Sequence, residues 1–353
     1  MKKILLILVG GTICTALDKN NTLSISDTAG VMLKTNFLAS ASPFAKEVEI
    51  ELSENLFILS ENMTVDAWNK IIAVYRKEAL KGYDGIIFAH GTDTLAFSAS
   101  LFSMLLSNTK IPVFFVSSNA RLTSSKANGN ENFRCAVECI CRGITPNVYV
   151  SYKNISDKRM YLHLASRIRQ CENYSDDFFS VGAMDLTDIT EQNYKAYFEK
   201  IEKLYPKDKR RSIVGKLDDI VLKNCVLMIE PYVGLRYDVF DYSLVSAILH
   251  GSYHSGTACT QNGVYSILSM LQFATKQNPS VDVYISPSKS EGEVYETVPT
   301  MANHTANGKN INFLFGTTKE TAYAKLLIAY SLFENKKDIQ NFLSTEINFE
   351  NIA

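Results

Sequence analysis

At 353 residues the chain exceeds what one hydrophobic core usually organises, and its length points to about two domains. A net charge of -1, with 21% charged and 46% apolar residues, gives no electrostatic reason for nucleic acid or an acidic membrane surface as a partner. Seven cysteines, an odd number, argue against a disulfide framework and for a reducing, cytoplasmic setting. Cys139 and Cys141 lack the two-residue spacer of common zinc motifs and no histidine cluster lies near them, so no metal is expected.

The chain opens on MKKILLILVGG, where Lys2 and Lys3 before an apolar stretch imitate a signal peptide. The run Ile4–Val9 is short for that role and no small-x-small site follows it promptly, so a buried first strand is expected. No stretch approaches the roughly 20 apolar residues of a membrane-spanning helix. Val48–Leu52 alternates as a strand does, and Leu56–Leu59 is a short apolar stretch. Val65–Leu80 carries Trp68, Ile71, Ile72 and Tyr75 at helical spacing, with Thr64 as its N-cap and Asp66 in its first turn.

Gly85–Ala89 predicts a buried strand, Leu95–Leu106 a helix, Ile111–Val116 a strand and Glu131–Arg142 a helix. Strands apolar throughout and separated by helices predict a mostly parallel, doubly wound sheet covered on both faces. From Val181 to about Asp219 the chain turns polar and irregular, and the basic run Lys207–Arg211 is expected to be solvated. Strand-helix alternation resumes over Val221–Glu230, Val245–Leu249, Val264–Gln277 and Val281–Ser286, and Thr318–Phe333 is a strong closing helix. The pattern therefore places a larger N-terminal α/β domain over 1–205, a linker over 206–220 and a smaller C-terminal α/β domain over 221–353.

Ligands of a doubly wound sheet bind outside the carboxyl ends of its strands. Two predicted strands end there in glycine followed by a threonine hydroxyl: Gly10-Gly11-Thr12 and Gly91-Thr92-Asp93. Glycine lets the backbone turn sharply and expose its N–H groups, and threonine supplies an oxygen that can attack or hydrogen-bond. The competing interpretation makes Thr12, Thr92 and Thr94 plain helix caps.

In order along the chain, LVGGTI, SENMTVDAW, YDGIIFAHGTDTLAFSAS and TTKETAYAKLL resemble the bacterial L-asparaginase/glutaminase family, nearest its cytoplasmic type I members, over essentially the whole length. The resemblance implies two α/β domains, with the site at the strand ends of the first. It implies a homodimer or homotetramer in which a neighbouring subunit closes that site. It makes Thr12 the nucleophile and Thr92 the threonine that positions water. Asp93 takes the substrate's α-ammonium, while Ser60 and Glu61 grip its α-carboxyl and α-amino groups, with Gly91 lining the same pocket. The implied reaction is attack on the side-chain amide of L-asparagine or a related small amide, an acyl-enzyme, and hydrolysis to acid and ammonia, with no cofactor.

Two catalytic positions depart from the pattern. The tyrosine of the loop after the GGT motif is replaced by Thr22, and aligning on the closing Asp-x-Phe puts Arg169 where a proton-relaying lysine is expected. Arginine stays charged and relays protons poorly. Asn128 stands where the family has an aspartate, while Gly129 and Asn132 are kept, a change that suggests relaxed constraint or another substrate. His250 and His254 are expected to be structural or surface residues rather than site residues. Lys289 and Glu293 are candidate contacts to a neighbouring subunit's site. Two functions stay open: an amidohydrolase acting through Thr12, or an impaired homologue that binds a small amino acid or serves a structural or regulatory role.

Overall fold

The computed structural model describes residues 1–17, 23–25, 28–213, 220–288 and 293–352. It divides into two compact units, Met1–Asp219 with Ile347–Phe349, and Ile220–Glu346 with Glu350–Ala353.

The first unit runs β1 (Lys2–Leu8), a hairpin of β2 (Thr15–Leu17) and β3 (Leu23–Ile25), α1 (Thr28–Leu38), β4 (Val48–Leu52), α2 (Val65–Ala79), β5 (Gly85–Ala89) and α3 (Leu95–Leu105). It continues through β6 (Val113–Val116), α4 (Gly129–Cys141), β7 (Val148–Lys153), β8 (Met160–Leu164), β9 (Ile168–Arg169), β10 (Phe179–Ser180), β11 (Met184–Asp185) and α5 (Tyr194–Leu204). Seven of these strands form one sheet in the order β11-β8-β7-β6-β5-β1-β4. The pairs from β4 to β7 are parallel, and β8 and β11 add an antiparallel edge.

The all-apolar strands take the centre of this sheet because both their faces are covered: Ile4–Leu8 and Ile86–Ala89 are buried throughout. α2 starts where Thr64 accepts from the Ala67 amide at 3.2 Å, as the capping pattern predicts. Trp68 Nε1 then ties α2 to α3 by donating to Ser98 Oγ at 2.8 Å. The chain leaves β1 for β4 on one side and returns to β5 on the other. That reversal is the topological switch point of the sheet, the place where doubly wound sheets bind ligands.

The second unit holds β12 (Val226–Ile229), β13 (Ala247–His250), α6 (Ile267–Gln277), β14 (Asp282–Ser288), α7 (Thr297–Ala302), β15 (Thr305–Ala306), β16 (Lys309–Phe315), α8 (Lys319–Leu332) and α9 (Lys336–Ser344). Its sheet order is β12-β13-β14-β16-β15, parallel except for the last pair. Thr318 caps α8 by accepting from the Thr321 amide at 3.2 Å. The buried Lys325 on α8 pairs with the buried Glu350 at 2.7 Å.

Several elements fall outside the predicted pattern, among them α1, β7, β8 and β16. The polar stretch after Val181 contains α5, a helix that buries only Phe198 and Ile201. α8 is followed by α9 and is not the last helix. Among the described residues no helix is long and apolar enough to cross a membrane.

Candidate active site

The ends of β1 and β5 are laced together by backbone bonds. The amides of Val9 and Gly10 both donate to Ala89 O, at 2.9 and 3.3 Å. Ile58 N donates to Val9 O at 2.9 Å and His90 N to Val116 O at 2.9 Å. Only glycine fits where these chains meet. A Cβ on Gly10, at φ 142, would lie 2.0 Å from Ile58 O, and one on Gly11, at φ 76, would lie 2.0 Å from the Cα of Gly91. A Cβ on Gly91 would fall 2.4 Å from the Ser60 side chain. Three segments therefore pack backbone against backbone at the switch point.

This packing brings Thr12, Ser60, Gly91, Thr92 and Asp93 together. Thr12 and Thr92 each open a 3-10 turn, over Thr12–Cys14 and Thr92–Thr94. Neither threonine caps a helix, and neither hydroxyl meets a partner among the described residues. Thr94 occupies the N-cap position of α3, but its side chain caps nothing; its hydroxyl donates instead to Ser60 O at 2.9 Å. The capping interpretation of the three threonines therefore does not describe these side chains. Ser60 Oγ donates to Asp93 Oδ2 at 2.9 Å, coupling the Ser60–Asn62 turn to the Thr92–Thr94 turn. Glu61 sits in that first turn with its side chain exposed.

His90 forms the floor of the turn. It is wholly buried and its Nδ1 lies 2.8 Å from Gly91 O, a carbonyl that can only accept, so Nδ1 carries the proton. Burial holds the imidazole neutral, down to about 4. Its Nε2 has no partner among the described residues.

Arg169 is not at this site, which corrects the alignment on Asp-x-Phe. Its side chain is 60% exposed and lies 3.7 Å from Glu172. The reason is strand alternation: Ile168 is buried, so Arg169 faces out and Gln170 turns in. Gln170 Nε2 donates to Thr92 O at 2.7 Å, and Gln170 Oε1 accepts from Ala96 N at 3.2 Å. Gln170 thus stands beside the second threonine, where the resemblance called for a lysine. An alignment shifted by one residue, to the position just after β9, would have found it. Its neighbour Cys171 accepts from Gln170 Nε2 at 3.1 Å. Burial and then the Asp93 charge push the Cys171 thiol up, so it stays protonated, although the Gln170 bond opposes the shift.

Thr22 lies outside the described residues, as does Lys289. Glu293 and His254 are exposed. His250 is buried, with Nδ1 against Gly251 O and Nε2 against Tyr237 OH. Asn128 has a structural reason to be an amide. It exchanges bonds with Asn119, and its Nδ2 donates to Lys153 O at 2.7 Å, which an aspartate carboxylate cannot do.

Comparison with known proteins agrees with this architecture. The chain is 32% identical over 186 residues, 52% of its length, to the D subunit of glutamyl-tRNA(Gln) amidotransferase from Halobacterium salinarum, of which it spans 42%. To the same-named protein of Methanosphaera stadtmanae it is 25% identical over 99% of its length and 76% of that protein. Its fold is similar to that of the thermostable L-asparaginase from Thermococcus kodakarensis, with a TM-score of 0.72 at 20% identity over 99% of both chains. The family described as "Asparaginase, N-terminal" matches residues 3–202, and the chain belongs to the asparaginase family.

Proposed function

We propose that the protein is an amidohydrolase that cleaves the side-chain amide of a small amino-acid amide through Thr12. The observation that carries this is the uncommitted Thr12 hydroxyl on a glycine turn, packed against the turn that holds Thr92 and Asp93. In this reading the Thr12 oxygen attacks the amide carbon, ammonia leaves with the hydroxyl's proton, and water cleaves the resulting ester to free the acid and Thr12. The N–H groups of Thr12 and Thr92 begin their turns without an acceptor among the described residues, and they supply donors for the developing oxyanion. The Ser60–Asp93 pair receives the substrate's ammonium end, with Glu61 beside it on the same turn. The names of the relatives support asparagine and glutamine as the amides to test. Self-association into a dimer or tetramer belongs to the same reading.

Gln170 favours a second reading, a homologue that binds an amino acid but turns it over slowly. A carboxamide beside Thr92 neither accepts nor releases a proton, and losing one proton-transfer group costs about 10²–10⁴ in rate. Ammonia release from asparagine and glutamine, with Thr12→Ala as control, separates the two; equal signals from both proteins sink the hydrolase. L-Aspartate is expected to raise the melting temperature of the wild type and not of Asp93→Ala.

A further inference from the structure

We propose that Gln170 is the positioning residue of this site, its carboxamide fixing the Thr92–Asp93 turn onto the first turn of α3 without carrying charge. The proposal rests on the reading that the site binds an amino acid. The first amides of a helix have no intrahelical acceptor, and Thr94, which holds the N-cap position of α3, gives its hydroxyl to Ser60 instead. Gln170 Oε1 takes over that task at Ala96 N, 3.2 Å away, while Nε2 holds Thr92 O at 2.7 Å. One rigid planar group thus sets the carbonyl that precedes Asp93 and an amide that follows it. Asp93 is in turn held by Ser60 Oγ at 2.9 Å, so both ends of the turn are fixed. A lysine at this position could donate to Thr92 O but has no acceptor for Ala96 N. This chain has therefore exchanged a proton-relaying group for one that holds the turn from two sides.

α3 carries no titratable side chain, the turn contributes Asp93, and β9 and the residues after it contribute Cys171, Asp176, whose charge reaches Cys171, and the outward pair of Arg169 and Glu172. A carboxylate at position 170 would set an acceptor against the Thr92 carbonyl, near Asp93. The site's ligand affinity would then acquire a pH dependence that the carboxamide does not confer.

The test uses the full chain as wild type, Gln170→Leu and Gln170→Glu, with amide hydrogen exchange at Ala96 and titration with L-aspartate. Gln170→Leu is expected to speed Ala96 exchange and weaken L-aspartate binding by about tenfold each, the size of one lost hydrogen bond to a buried amide. Gln170→Glu is expected to bind like wild type near pH 5 and to lose about tenfold as its carboxyl ionises toward pH 8, while wild type changes little over the same range. A merely structural side chain would give no such profile. Unchanged Ala96 exchange in Gln170→Leu, or a flat profile in Gln170→Glu, overturns the proposal. If wild type binds no L-aspartate, the amino-acid reading fails, and Ala96 exchange still decides whether the carboxamide holds the turn.

Discussion

The same dipeptide closes a parallel strand in each unit: His90-Gly91 after β5 and His250-Gly251 at the end of β13. Both histidines are fully buried, and both set Nδ1 against the next glycine's carbonyl, at 2.8 and 2.5 Å. Burial holds both imidazoles neutral, down to about 4. The surroundings differ. His250 Nε2 is met by Tyr237 OH at 2.7 Å, and Tyr242 OH donates to Tyr237 O at 2.7 Å, so the polar chain is closed. His90 Nε2 has no such partner among the described residues, and Gly91 is pressed against Ser60 and Gly11 instead. One strand end is a finished structural plug; the other is a floor on which Thr92 and Asp93 stand. The dipeptide does not decide which, because the decision lies in the segments packed against its glycine.

Acid should separate the two units most strongly. The first unit holds two buried neutral histidines, His90 at about 4 and His163 at about 3, and the second holds His250 at about 4. These folded values lie below that of a solvated histidine, so as pH falls through about 6.5 the unfolded chain takes up protons before the folded one. Stability is full above that point and is lost as pH falls toward 4. At pH 5 each group costs about 2 kcal/mol, so the first unit should lose roughly twice what the second does. Trp68 is the only tryptophan and lies in the first unit, so urea midpoints read by its fluorescence should fall faster with acid than those read from the tyrosines of the second. Equal slopes would remove this part of the comparison.

The next effect tests the packing of the glycine. Gly91→Ala sets a Cβ 2.4 Å from Ser60 and 2.9 Å from the Gly11 backbone. Its φ of -75 suits any residue, so the cost is packing alone, about 3 kcal/mol in urea unfolding. Because the Ser60–Asp93 bond spans the same contact, the L-aspartate response should vanish with it. A stable Gly91→Ala protein that still responds would show that the three segments are not mutually constrained.

These strand ends were legible in the sequence because their cause is local. Ile4–Val9 and Gly85–Ala89 are apolar without interruption, and glycine followed by threonine marks where each strand stops. Thr64 announced its helix for the same reason. What lay beyond reach was set by tertiary contact. α5 is the exception: Tyr194, Tyr197, Phe198 and Ile201 stand at i, i+3, i+4 and i+7 and face the first unit's core, a helical period legible within a charged segment. Gln170 was missed by one residue, since side-chain direction along and just after the two-residue strand β9 depends on which residue is buried, and that is Ile168. The bonds that make Asn128 an amide run to Asn119 and to Lys153, and the latter lies on another strand.

Tyr237→Phe is the smaller test, and it turns the closed plug toward the open state of its counterpart. It removes the O–H that meets His250 Nε2 and leaves the ring in place. An unsatisfied buried acceptor costs about 1–3 kcal/mol, with the lower half expected because the ring still fills its volume. The loss should appear in the second unit's transition and leave the Trp68 signal unmoved.

Gly251→Ala carries the smallest effect and bears most directly on the comparison. A Cβ there would lie 2.5 Å from Glu230 Oε2 and 3.0 Å from the Pro231 ring. The first contact is the far end of a flexible, half-exposed side chain that can swing away, giving up a surface ion pair with Lys319 at 3.1 Å. Exposed ion pairs contribute roughly 0–1 kcal/mol, so the substitution should cost less than about 1 kcal/mol. Gly91 has no such escape, because its neighbours are the Cβ of Ser60 and the backbone of Gly11. If the two alanine variants cost the same, the glycine after each histidine would be serving the strand end itself. A gap of about 2 kcal/mol would place the constraint in the three-way packing beneath Thr12 and Thr92, since that contact is what the second unit's strand end lacks.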